Sequence, residues 1–250
     1  MSADGSPLSA YRDAETGYDA LVWTPPSAPA AALPLLVHLH GAGEAGTFVW
    51  GIIAEGQTGT PLNELHFGRA PRSLGDGFVV VGPQSPRSMF DAEKVGSFIA
   101  NILRAPPSSV VLDPTRVIIA GHSNGASAAL SVAARGIPGF GPFAACVPVA
   151  PGGCRELDNG GGELKGCPTW VFHGINDVVL PVRCADQIVQ ALRRINGVAT
   201  DDDSLVRYTR IHDCPSPPGY PALTGHGTPV VAFATDGIFE WMLEQRVRSK

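Results

Sequence analysis

Apolar positions along the chain fall into two patterns. Residues 33–40, 78–82, 116–120, 143–149 and 169–172 are short runs rich in β-branched side chains and bounded by Gly or Pro. Such runs present apolar groups to both faces, as strands of a buried parallel sheet do. Residues 18–23 and 205–211 read as two further strands. Between them, Phe98, Ile99, Ile102 and Leu103 make one helical face, and Ile188, Val189, Leu192 and Ile195 make another. The small-residue stretch 126–134 suits a helix packed close on a sheet, and residues 237–246 read as a closing helix with Ile238, Trp241 and Met242 inward. Strand and helix alternate, which predicts an α/β architecture: a mostly parallel central sheet, helices on both faces, and ligands at the carboxyl ends of the strands. The Pro/Ala-rich stretch 24–32 reads as a hairpin loop between the strand 18–23 and the next. His38, alternating with apolar neighbours inside a strand, reads as a satisfied core histidine. With no internal repeat and no linker, residues 1–250 read as one domain.

Composition narrows the partners. Hydrophobic residues make up 44% and charged residues 16% of the 250, a folding balance. Eighteen basic against 23 acidic residues give a net charge of −5, spread thinly, which argues against nucleic-acid binding and for a small neutral or mildly charged substrate. No run is long and apolar enough to span a membrane, and residues 1–20 carry Asp4, Asp13, Glu15 and Asp19 with no leader-like core, so a cytoplasmic protein, monomer or homodimer, is expected. Cys146, Cys154, Cys167, Cys184 and Cys214 show no CxxC or metal-ligand spacing. Free thiols are expected, with a pairing among Cys146, Cys154 and Cys167 left open.

The chemistry centres on Gly121-His-Ser-Asn-Gly125, a G-x-S-x-G placed after a strand and before a helix. That turn forces the serine into a strained conformation at the sheet's carboxyl edge, and the flanking glycines remove side chains that would collide. A serine hydroxyl needs a base, and the base needs an orienting acid. Both follow in the order a sheet of this kind demands: Asp177 in the turn after the strand 169–172, then His226 between two glycines in a loop ahead of the closing helix. His212 is the rival base, whereas His122 and His173 suit packing and backbone hydrogen bonds. An oxyanion would need backbone donors, and Asn124, following the nucleophile, and Ala42, in His40-Gly-Ala-Gly43, are the candidates. The segment 44–76 has no obvious scaffold role, so its apolar residues either pack or line a pocket. Gly41, His122, Trp50 and Phe67 are the candidate substrate contacts. Neither a metal nor an organic cofactor is required.

His40-Gly-Ala-Gly-Glu44, Val79-Val-Val-Gly-Pro-Gln-Ser-Pro86, Asp113-Pro-Thr-Arg-Val117 leading into the elbow, Pro168-Thr-Trp-Val-Phe-His-Gly-Ile-Asn-Asp177, and His226 before the final helix span nearly the whole chain. Together they resemble the α/β-hydrolase superfamily, and within it the dienelactone-hydrolase-like and phospholipase/carboxylesterase-like serine esterases, including proteins labelled predicted peptidases or related to polyhydroxybutyrate depolymerases. The resemblance implies the same roles for Ser123, Asp177, His226, Ala42 and Asn124, and little or no cap domain. The chain departs from the pattern at Ala126, where a second glycine is usual, and at Ala45, where an arginine often stands. The expected activity is hydrolysis of small to medium carboxylic esters through an acyl-enzyme. The same triad would also serve a thioesterase, a serine peptidase or an acyltransferase, and a non-catalytic binding protein on this fold is the remaining alternative. Glu44 has no role assigned by this reading.

Overall fold

The computed structural model describes residues 7–27, 31–107 and 109–247. Residues 1–6, part of the segment read as leaderless, and 28–30, part of the segment read as a hairpin loop, lie outside them. Eight strands form one sheet: β1 (Leu8–Arg12), β2 (Asp19–Trp23), β3 (Leu33–Leu39), β4 (Val79–Gln84), β5 (Leu112–His122), β6 (Ala145–Val149), β7 (Thr169–Gly174) and β8 (Val206–Ile211), in the order β1-β2-β4-β3-β5-β6-β7-β8. β1 and β2 pair antiparallel to each other and β2 pairs antiparallel to β4, while every other neighbouring pair is parallel.

Side-chain alternation explains the continuous apolar runs. Leu35, Val37 and Leu39 of β3, with Val117 and Ile119 of β5, face one layer, whereas Leu36, Ile118 and Ala120 face the other. The first layer holds the helices α3 (Ala92–Arg104), α4 (Asn124–Arg135) and α5 (Arg183–Asn196). The second holds α1 (Pro61–His66), α2 (Arg72–Gly75), α6 (Thr228–Ala232) and α7 (Ile238–Glu244). Each helix has local reasons to form. The Asp91 carboxylate accepts the Glu93 and Lys94 N–H groups at 3.0 and 3.1 Å and caps α3, and Gly197, in the left-handed region at φ 64°, ends α5. Ala126, Ala129 and Ala133 bury the small face of α4.

The structure corrects or refines several of these readings. The segment 24–32 is not a hairpin loop, because β4 lies between β2 and β3; local composition marks a turn but does not say which strand becomes the neighbour. β1 was not anticipated, since only Leu8 of its five residues is buried. His38 is buried as expected, its ring set edge-on to Phe233 at 5.6 Å, but its Nε2 has no hydrogen-bond partner among the described residues. In the segment 44–76, Ile52, Ile53, Leu62 and Leu65 pack into the second layer. All five cysteines are free.

The strand order also locates a crevice. From β3 the chain moves to β4 on one side and then crosses to β5 on the other, so the loops leaving β3 and β5 diverge at the carboxyl edge. Ligands in open α/β sheets bind at such a switch point.

Candidate active site

Ser123 sits at the junction of β5 and α4 with φ 56° and ψ −120°, a conformation rare for a residue with a side chain. Such a backbone costs on the order of 1–3 kcal/mol and persists only where its surroundings fix it. Here the Ser123 N–H donates to the Val149 carbonyl at the end of β6 at 2.9 Å, and its own carbonyl accepts from Ala126 and Ser127 at 3.0 and 3.2 Å. The two glycines of the elbow have separate causes. A Cβ on Gly121 would strike the Gly125 backbone, and one on Gly125 would strike the carbonyls of Leu39 and His40.

The predicted acid and base reach this serine. His226 Nε2 lies 3.0 Å from Ser123 Oγ, and His226 Nδ1 lies 2.7 Å from Asp177 Oδ2. These partners assign the tautomer: Nδ1–H donates to the carboxylate, leaving Nε2 to accept from the hydroxyl. The other oxygen of Asp177 accepts the Val179 and Leu180 N–H groups at 2.8 and 2.9 Å. Burial alone would raise this carboxyl, but the bonds from His226, Leu180 and Val179 outweigh it and hold it below its ordinary value. Gly225, at φ 77°, is required where it stands, since a Cβ there would overlap the backbone of Asn176 and Asp177. The base loop is thereby pressed directly on the acid loop.

Neighbouring histidines support this set. His122 Nε2–H donates to the His226 carbonyl at 3.1 Å, and burial pushes its pKa down to about 3, so the ring is neutral. His173 Nε2–H donates to the Leu180 carbonyl at 2.8 Å; its Nδ1 has no partner among the described residues. The rival base His212 is exposed just past β8, and neither Ser123 nor Asp177 is among its partners.

The loop after β3 closes the other side. The position a Cβ on Gly41 would take is 3.6 Å from Ser123 Cβ. Ala42 and Asn124 each begin a helical turn, where the N–H has no intrahelical acceptor, and among the described residues neither meets one elsewhere. Two residues not singled out for this purpose hold the loop. His40 Nδ1–H donates to the Gly41 carbonyl at 2.6 Å while its Nε2 accepts the Ser85 N–H at 2.9 Å, and Gln84 Nε2 donates to the Glu44 carbonyl at 2.9 Å. Both depend on β4 ending beside β3, which the sequence motif around Gln84 hinted at without giving a role. Gly41 and His122 are therefore at the site. Trp50 packs on His66, and Phe67 packs on His66 and under the Arg69 guanidinium.

No family model matches the chain, and no curated protein matches it in sequence. Solved structures do match in shape. A thermostable esterase superposes with a TM-score of 0.71 at 24% identity, over 97% of this chain and 64% of that one, so the chain spans under two thirds of that protein's length. An esterase from Thermogutta terrifontis gives 0.60 at 14% identity, over 100% and 98% of the two chains. A puromycin-hydrolyzing peptidase from Mycobacterium tuberculosis gives 0.61 at 18%, over 98% and 41%. At these identities the likeness establishes the fold, and the fold is that of the α/β-hydrolases, as the sequence motifs implied.

Proposed function

We propose that the protein is a serine hydrolase that cleaves carboxylic esters with small to medium acyl or alcohol groups, acting as one domain and without a cofactor. The observation that carries this reading is the unbroken hydrogen-bonded line from Ser123 Oγ through the His226 ring to Asp177, at 3.0 and 2.7 Å, on a serine with positive φ. His226 Nε2 takes the hydroxyl proton as Ser123 Oγ attacks the ester carbonyl carbon. Asp177 keeps the tautomer and stabilises the imidazolium that forms. The Ala42 and Asn124 N–H groups meet the oxyanion, and losing one such donor generally costs about 3–4 kcal/mol of transition-state stabilisation. His226 then protonates the leaving alcohol, and water, activated by the same ring, releases the acid from the acyl-enzyme.

Fold likeness to esterases supports the hydrolase class, and the peptidase on the same fold shows why the scissile bond itself must be measured. No helix among the described residues is long and apolar enough to cross a membrane. The test is hydrolysis of a p-nitrophenyl ester series, from acetate to long chains, by the native protein and by Ser123→Ala. Activity that peaks at one chain length and falls by roughly four to six orders of magnitude in the variant is expected. Equal rates in the two proteins would refute the reading.

A further inference from the structure

One ionisable group beside the triad has no part in the mechanism above. Glu44 ends the short turn Ala42–Glu44, half-buried, with its carbonyl tied to Gln84. Its carboxylate turns back over Gly41. Oε2 lies 3.1 Å from the point a Cβ on Gly41 would occupy, and that point is 3.4 Å from His122 Nδ1 and 3.6 Å from Ser123 Cβ. The backbone of Gly41 and Glu44 and the Gln57 side chain favour its charged form. A carboxylate has about four acceptor positions, and this one keeps solvent contact, so it can take a donor from a ligand.

This placement opposes the reaction of a neutral ester. A carboxylate beside the oxyanion loop stands near the position where negative charge develops, and like charges there raise the barrier. Among the described residues, no lysine or arginine forms an ion pair with it. Burial pushes the Glu44 carboxyl above its ordinary value, against its hydrogen bonds and the His226 ring, which marks a charge the chain itself leaves incompletely compensated. A substrate bearing a cation next to its carbonyl carbon would supply the missing partner. We infer that Glu44 determines specificity by selecting acyl groups with an ammonium beside the scissile carbonyl, that is, α-amino acyl esters. The inference deepens the serine-hydrolase reading and rests on it.

The test uses an isosteric pair, the p-nitrophenyl esters of alanine and of isobutyric acid, which differ by an ammonium in place of a methyl. The ratio of their kcat/KM values is measured for the native protein, Glu44→Gln, Glu44→Ala and Ser123→Ala, and divided by the ratio of their hydroxide-catalysed rates to remove intrinsic reactivity. The native protein is expected to favour the alanine ester by on the order of tenfold or more, and both Glu44 variants to bring the ratio close to one. A purely structural role for Glu44, or one confined to the His226 charge, would slow both esters together and leave the ratio intact. A ratio preserved in both variants, or a native ratio near one, overturns the inference; the native value decides it even if the variants fold poorly. Absence of Ser123-dependent hydrolysis of either ester overturns the hydrolase reading, and this inference with it.

Discussion

Lowering the pH from 7.5 to 5.0 should cost this protein a large part of its stability, through histidines that fold as neutral rings. Burial lowers His38 and His122 to about 3 and His40 to about 4, from an ordinary value of 6.5. Between the folded and unfolded values the unfolded chain binds the extra proton, so stability is fully present above 6.5 and is lost as the pH falls toward the folded values. At pH 5.0 each ring contributes a loss of about 2 kcal/mol, and the three together about 6 kcal/mol, against a total stability of about 5–15 kcal/mol for a typical domain. Glu44, with its raised value, works the other way and offsets part of this loss. The assay is urea unfolding followed by tryptophan fluorescence at both pH values and constant ionic strength. A slope of about 3 kcal/mol/M would turn the loss into a midpoint shift of about 2 M. His38→Leu removes one of the three titrations along with a buried nitrogen that has no partner among the described residues. It should leave stability at pH 7.5 within about 1 kcal/mol of the native value or above it, and shrink the acid loss by about 2 kcal/mol. A native acid loss under about 2 kcal/mol, or the same loss in His38→Leu, would refute the reasoning.

Other outcomes follow from single contacts. Asp177→Asn should fold normally but lower kcat by about four orders of magnitude, because an amide at 2.7 Å from His226 Nδ1 favours the wrong tautomer; a loss under about tenfold would remove Asp177 from the mechanism. Gly125→Ala should abolish ester hydrolysis and destabilise by about 2 kcal/mol or more, as its Cβ meets the Leu39 and His40 carbonyls, and normal melting with normal rates would contradict that packing. Asp91→Ala should cost about 1 kcal/mol through loss of the α3 cap, read as a lower melting temperature with kcat/KM unchanged.

What the sequence made legible depended on how local each cause is. β3 and β7 were readable because both of their faces are buried, so burial alone writes a continuous apolar run. β1 has one buried residue at its start and exposed or half-buried positions after it, and its pairing with β2 left no such trace. The false hairpin at 24–32 arose for the complementary reason: turn chemistry is local, whereas the insertion of β4 beside β2 is a decision of the whole sheet. Ser123, Asp177 and His226 each stand in a glycine-marked or strand-end turn whose backbone demands are visible in a few residues. The holding bonds of His40 to Ser85 and of Gln84 to Glu44 join segments that only the folded sheet brings together, so no short stretch announced them.

The line of three side chains also carries a statement about time. Ser123 leaves the ribosome long before His226, and the loop that carries the base is held by the Gly227 N–H on the Pro215 carbonyl and by Gly225 set against the turn at Asn176. The contact of Ser123 with His226 spans 103 residues, and closing so long a loop costs entropy before the contact repays it. An unfinished chain that lacks His226 holds its serine without a base and, on the proposed mechanism, is silent toward esters in its surroundings. On the proposed mechanism, activity regained during refolding should lag the return of helical signal, and enzyme turnover becomes a clock for the last step of assembly.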